Sequence, residues 1–264
     1  EAPSTAYDAS GRAIVAWQDT TDGDSEIYLR RWDGASWAEI AGSATAGGIS
    51  ANGGPSTRPS VAVNPVSGEP GVAWMDTTAG NAEVLFREYD SALGTWVDRA
   101  ASGASPGISN DAGSSQDPQL VFDAAGRPIV AWADDSAGNS EVYLRRYDGA
   151  AWVELAGSAT GGGVSGTATE SVRPSVALDP TGNPCVVWEE RISAFNFEVY
   201  GRRFNGTTWV EFGAGSGTGG GISKTPMAST APHLSASGDT YFLSWTDASD
   251  PAGDDETEIY GLYF

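Results

Sequence analysis

The stretch PQLVFDAAGRPIVAWADDSAGNSEVYLRRYDGAAWVEL, residues 118–155, decides the fold. It reads as four short strands. Gln119–Phe122 is the first, and Asp123-Ala124-Ala125-Gly126 is a tight turn whose glycine can take positive φ. Pro128–Trp132 is the second strand, and a polar loop, Asp134–Ser140, leads to the third, Glu141–Tyr147. Asp148-Gly149 is a strong hairpin signal, and Trp152–Leu155 is the fourth strand. The second strand is apolar on both faces, so its sheet must lie between other sheets.

The same unit recurs along the chain, in five copies. Each opens with a proline: Pro3, Pro59, Pro118, Pro174 and Pro232. A tryptophan follows at Trp17, Trp74, Trp132, Trp188 and Trp245, then a glutamate at Glu26, Glu83, Glu141, Glu198 and Glu258. A second tryptophan stands at Trp37, Trp96, Trp152 and Trp209. Proline spacings of 56, 59, 56 and 58 residues are too long for a parallel β-helix, and no 3.6-residue period supports a helical solenoid. The expectation is an all-β, five-bladed β-propeller with four-stranded antiparallel blades and a three-stranded last blade. Its blades would be about 3–58, 59–117, 118–173, 174–231 and 232–264 of a single domain, 1–264.

Composition narrows function. With 35 Asp+Glu against 14 Lys+Arg the formal net charge is −21, which excludes nonspecific binding to nucleic acid or anionic lipid. No apolar run approaches the roughly 20 residues of a membrane helix, so membrane insertion is not expected. One cysteine, Cys185, excludes an internal disulfide framework, and one histidine, His233, argues against a Ser-His-Asp triad. The composition and polar start suit a mature secreted or cell-surface product, or a domain of a larger chain or assembly.

In a propeller the loops after the second and fourth strands share one face. Each second strand ends in Trp-x-[Asp/Glu], at Asp19, Asp76, Asp134, Glu190 and Asp247, so that face is expected to carry a ring of carboxylates. Asp19-Thr20-Thr21-Asp22-Gly23-Asp24-Ser25-Glu26 alternates oxygen ligands around a glycine. Asp19, Asp22, Asp24 and Glu26 are therefore candidate Ca2+ ligands, against a solvated-turn reading. The long loops repeat Gly48-Ile49-Ser50, Gly107-Ile108-Ser109, Gly163-Val164-Ser165 and Gly221-Ile222-Ser223, read as an apolar plug tucking each loop onto its blade.

Two resemblances follow from these motifs. Gly23–Tyr28 and Gly138–Tyr143, of the pattern Gly-[Asp/Asn]-x-Glu-[Ile/Val]-Tyr, resemble the repeat of TolB-like propellers. The hairpins Arg31–Trp37, Arg146–Trp152 and Arg203–Trp209 are similar to the outer hairpin of fucose-binding propeller lectins. Blade 2 departs, with two extra residues before Trp96. The lectin resemblance implies sugar sites built from an aromatic face, Arg and Glu. The candidates are Glu26/Arg30/Trp37, Glu83/Arg87/Trp96, Glu141/Arg145/Trp152 and Glu198/Arg202/Trp209, against a cross-strand ladder reading.

Because the carboxylates repeat in every blade, and catalysis needs an acid and a base in different environments, the expectation is not an enzyme. A non-enzymatic extracellular binding or scaffolding propeller with a protein partner is expected. A multivalent carbohydrate-binding module is the alternative, and a glycoside hydrolase-like propeller the third reading.

Overall fold

A computed structural model of the chain describes residues 3–21, 23–238, 240–249 and 257–263. The protein is a five-bladed β-propeller, all-β, with no helix among the described residues. The first blade holds β1 (Ser4–Tyr7), β2 (Ala13–Asp19), β3 (Glu26–Trp32) and β4 (Trp37–Ala38). The second holds β5 (Ser56–Val63), β6 (Pro70–Asp76), β7 (Glu83–Asp90) and β8 (Thr95–Val97). The third holds β9 (Ser115–Phe122), β10 (Pro128–Asp134), β11 (Glu141–Tyr147) and β12 (Trp152–Glu154). The fourth holds β13 (Ser171–Leu178), β14 (Pro184–Arg191), β15 (Phe197–Phe204) and β16 (Trp209–Glu211). The fifth holds three strands, β17 (Ser229–Ser237), β18 (Thr240–Asp247) and β19 (Glu258–Tyr263). Within each sheet, strands follow chain order.

The packing divides into two compact units, Glu1–Val130 with Arg145–Val153, and Ala131–Leu144 with Glu154–Phe264. The core of the first gathers Ile14, Ile27, Leu29, Val72 and Trp74. That of the second gathers Cys185, Val187, Val199, Leu243 and Trp245. Every residue of β10 is buried, as its two-sided apolar sequence requires. Each second strand lends its tryptophan to a tyrosine of the third where one is present. Trp17 stacks on Tyr28 at 6.0 Å, Trp132 on Tyr143 at 6.2 Å and Trp245 on Tyr260 at 5.9 Å. Such pairs are worth about 0.5–1.5 kcal/mol beyond burial and help set the register.

The first strands start earlier than the proline suggests: β9 begins at Ser115, not Gln119. The register shifts between Thr57 and Ser60, Val172 and Ser175, and Thr230 and His233. A bulge absorbs the missing proline N–H, so the strand runs through it.

Candidate functional site

The repeated glutamates belong to the framework. Glu26, Glu83, Glu141 and Glu198 are buried, at 6, 3, 1 and 4% exposure. Each accepts the hydroxyl of the serine in the Gly-[Ile/Val]-Ser segment: Ser109 to Glu83, Ser165 to Glu141 and Ser223 to Glu198 at 2.5 Å, and Ser50 to Glu26. That hydroxyl in turn accepts a third-strand amide, as from Val84 at 2.9 Å and Val142 at 2.8 Å. The segment's apolar residue bridges to the same strand, Ile49 N to Ile27 O, Ile108 N to Val84 O and Val164 N to Val142 O, each at 2.7 Å. Glycine is required just before it. At Gly48, Gly107 and Gly163 φ is near +60°, and an added Cβ would lie 2.1–2.4 Å from the carbonyl oxygens of Ile27, Val84 and Val142.

The arginines and outer tryptophans bind the preceding blade. Arg87 Nη1 donates to Ile49 O, Arg145 Nη1 to Ile108 O and Arg202 Nη1 to Val164 O, at 2.5, 2.5 and 2.9 Å. Trp96 Nε1 donates to Ile40 O, Trp152 Nε1 to Arg99 O and Trp209 Nε1 to Leu155 O, at 3.0, 2.9 and 2.8 Å. Arg30 is exposed, and Trp37 is 43% exposed. Trp37 pairs with Trp32, six positions along β3 from Glu26, which at about 3.3 Å per residue is roughly 20 Å. Glu26 and Trp37 therefore stand at opposite ends of the strand, and the pairings Tyr89 with Trp96 and Phe204 with Trp209 separate Glu83 from Trp96 and Glu198 from Trp209 in the same way.

Of the carboxylates after the second-strand tryptophans, Asp76, Asp134, Glu190 and Asp247 are buried and bonded, and Asp19 is half-buried. In the first unit Asp76, 1% exposed, accepts Ser56 Oγ at 2.8 Å. In the second, Glu190 accepts Ser171 Oγ at 2.6 Å and Trp188 Nε1 at 2.9 Å. Asp247 accepts Ser229 Oγ at 2.8 Å. Burial alone would raise the Asp247 carboxyl, but hydrogen bonds from Ser249, Ser229 and Trp245 outweigh it and hold the group below its ordinary value. Glu26 goes the other way: burial dominates and raises its carboxyl despite the bonds from Ser50 and Asn52.

Of the candidate calcium ligands, Asp19 accepts Thr21 N at 2.7 Å, Asp24 is exposed, Glu26 is bonded to Ser50, and Asp22 lies outside the described residues. Among the described residues no group of three or more His, Cys, Asp or Glu is placed to hold a metal ion. Cys185 is buried with its thiol 3.3 Å from Tyr241 Oη, and burial pushes it up to about 11, which suits a core residue.

Repeat symmetry breaks at the residue before each proline. Arg58, Asp117, Arg173 and Ala231 occupy the bulges with φ of 53, 51, 49 and 51°. A non-glycine residue there costs about 1–2 kcal/mol, and the same φ recurs in all four blades, so the conformation belongs to the repeat while the residue types differ. In the first unit the Arg58 guanidinium reaches Asp117 Oδ1 at 2.5 Å, and Arg58 N donates to Gln18 Oε1 at 2.8 Å. The Arg58 and Asp117 side chains are 45 and 26% exposed. In the second unit Arg173 Nη1 lies 3.1 and 3.2 Å from the two carboxylate oxygens of Glu189, which also accepts Ala231 N at 2.6 Å. Gln18 and Glu189 are the middle residues of Trp-x-[Asp/Glu]. These positions, variable in an otherwise regular repeat, were the available signal, and reading for repeated residues passed over them.

No protein-family model matches the chain, and no curated protein matches it in sequence. Solved structures match in fold. A Dyadobacter fermentans protein of unknown function is 14% identical with TM-score 0.61, the match covering 99% of this chain and 78% of that one. A Penicillium chrysogenum alpha-L-arabinanase complexed with arabinobiose is 16% identical with TM-score 0.55, over 97 and 79%. An endo-arabinase from Bacteroides thetaiotaomicron is 13% identical with TM-score 0.56, over 100 and 94%. The matches support the propeller repeat, while the TolB-like and fucose-lectin resemblances rest on the hairpin motifs alone.

The expectation of a non-enzymatic binding or scaffolding module with a protein partner is corrected by the solved structures of like fold, which include arabinanases, an alpha-L-arabinofuranosidase and a sialidase. The expectation rested on carboxylates repeated in every blade. Those carboxylates are buried framework, so their symmetry carries no information about catalysis.

Proposed function

We propose that this chain is a carbohydrate-active propeller of glycoside hydrolase type, with its glycan-contacting groups on the first-strand bulges. The observation that carries the reading is the non-repeating charged set before the prolines, Arg58, Asp117 and Arg173, on a fold shared with arabinanases. Asp117, partly exposed beside Arg58, is the carboxylate assigned to acid–base or nucleophilic work in the first unit. Arg58, with Gln116 beside it, and Arg173, backed by buried Glu189, are assigned to sugar hydroxyl or carboxylate groups, which guanidinium binds bidentately. On this reading the chain works outside the cell, where polymeric glycans are met.

The test is turnover of linear and debranched arabinan, aryl α-L-arabinofuranosides and aryl sialosides, with Asp117→Asn as the probe. The expected result is hydrolysis of one class, reduced on the order of 10²-fold or more in the variant, the size typical of a lost general acid or base. No turnover and no retardation on any of these glycans in affinity electrophoresis would overturn the proposal.

A further inference from the structure

The chain carries two Asn-Gly pairs, Asn52-Gly53 and Asn205-Gly206, and the fold holds them differently. Asn205 opens the turn between β15 and β16 and is exposed, as are Gly206, Thr207 and Thr208. Its Oδ1 accepts Thr207 N at 3.0 Å and Thr208 N at 2.9 Å. Its Nδ2 and the Gly206 N–H meet no acceptor among the described residues. The equivalent turns of the first and third blades, Asp33–Ser36 and Asp148–Ala151, are exposed as well, so this exposure belongs to the repeat.

Asn52 is half-buried and bound at both ends of its amide. Its Nδ2 donates to Asp76 Oδ2 and to Ser56 Oγ, the latter at 3.1 Å, and its Oδ1 accepts a single amide, Gly54 N, at 3.2 Å. In the first three blades the slot of Asn205 is held by Asp33, Asp90 and Asp148. Each accepts the amides two and three residues on: Asp33 from Ala35 and Ser36, Asp90 from Ala92 and Leu93, and Asp148 from Ala150 and Ala151. Bonds from Ser36 and Ala35 hold the Asp33 carboxyl below its ordinary value, and bonds from Ala151 and Ala150 do the same for Asp148.

We propose that Asn205 is a covalent modification site, deamidated in the folded chain by its own turn. Gly206 N gives its proton to solvent and bonds to Asn205 Cγ. The Thr207 and Thr208 amides face the oxygen on which negative charge develops, as the donors of an oxyanion hole do. The Cγ–Nδ2 bond breaks, Nδ2 takes a proton and leaves as ammonia, and a cyclic succinimide remains. Solvent water then opens either of its C–N bonds and leaves an aspartyl or an isoaspartyl linkage. The aspartyl form supplies the carboxylate that the other three turns carry and strengthens the bonds from Thr207 and Thr208. The isoaspartyl form adds a methylene group to the main chain and loosens the pairing of β16. At Asn52 the leaving amide is tied to Asp76 and one amide alone faces Oδ1, so the framework protects that pair.

The experiment incubates the whole chain in mildly alkaline buffer, folded and in denaturing urea. Both Asn-Gly pairs are followed by peptide mass spectrometry, with aspartyl and isoaspartyl forms separated. In the folded chain Asn205 is expected to convert at least about tenfold faster than Asn52, a modest share of what one oxyanion donor contributes. In urea the two rates should converge. A folded Asn205 that stays intact while the denatured chain reacts, or equal rates for the two pairs in the folded chain, overturns the proposal. Asn205→Asp supplies the aspartyl product directly, and its melting temperature should match or exceed that of the parent; a lower one also overturns the proposal. Glycan turnover is independent of this readout.

Discussion

Replacing Ser165 by alanine tests the serine–glutamate staple. The Ser165 hydroxyl is fully buried, accepts Val142 N at 2.8 Å and donates to Glu141 Oε2 at 2.5 Å. Its loss leaves a buried amide without a partner, at about 1–3 kcal/mol, and removes a bond to a carboxylate, worth about 1.5–3 kcal/mol. Glu141 keeps Asn139 Nδ2 at 2.9 Å and Thr167 N at 3.1 Å, so the two losses do not add in full. The expected cost is about 2–4 kcal/mol, or roughly 5–15 °C in melting temperature for a chain of this size. The assay is urea denaturation, read as a lower midpoint at unchanged slope. Thr160→Ala, which removes an exposed hydroxyl from Glu154 at 3.0 Å, is the control and should stay within about 0.5 kcal/mol. A double-mutant cycle with Glu141→Gln should show coupling of about 0.5–3 kcal/mol. A Ser165→Ala cost equal to the control, with no coupling, would refute the staple.

The remaining predictions use other parts of the framework. Gly163→Ala should cost more than Ser165→Ala, because the new Cβ meets Val142 O at 2.4 Å and the backbone sits at φ +61°; comparison of denaturation midpoints decides it. Trp152→Phe keeps an aromatic ring but loses the pyrrole half with its bond to Arg99 O, and should cost about 1 kcal/mol or more in the same assay; an unchanged midpoint would count against the inter-blade bond. Asp247, held below its ordinary value, contributes stability that is present above the unfolded pKa and lost as pH falls through the folded one. Asp247→Asn should therefore flatten the acid limb of a melting profile between pH 2 and 6. Glu26, raised by burial, has the opposite sign: its contribution is present below the unfolded value near 4.5 and lost as pH rises through the folded one, so Glu26→Gln should lessen the loss above that value.

Much of the blade was legible because its signals are local. The third strand of the third copy is Glu141–Tyr147 in sequence and in structure, and Asp148-Gly149 turns where hairpin chemistry places it. The Gly-[Ile/Val]-Ser plug was also legible, since one apolar residue in a polar loop has to be buried. Its serine was not, because Ser165 meets Glu141 across 24 residues. Charged side chains read one at a time look solvated; only a partner folded back from the next loop makes a buried glutamate affordable. The arginine bonds span 37 or 38 residues and the tryptophan bonds 53 to 56, so neither shows in any local window.

Periodicity alone determined the architecture of this protein, since five copies of a four-strand pattern, apolar on both faces of the second strand, must pack sheet against sheet. Tertiary structure alone decided which of the repeated polar residues are bonded into the framework. That outcome depends on hydrogen bonds closed within and across blades, which hold the repeated Glu and most of the repeated Arg and Trp. A repeat announces what every blade needs in order to fold. The positions where one blade differs are given meaning only by the neighbours that folding brings to them.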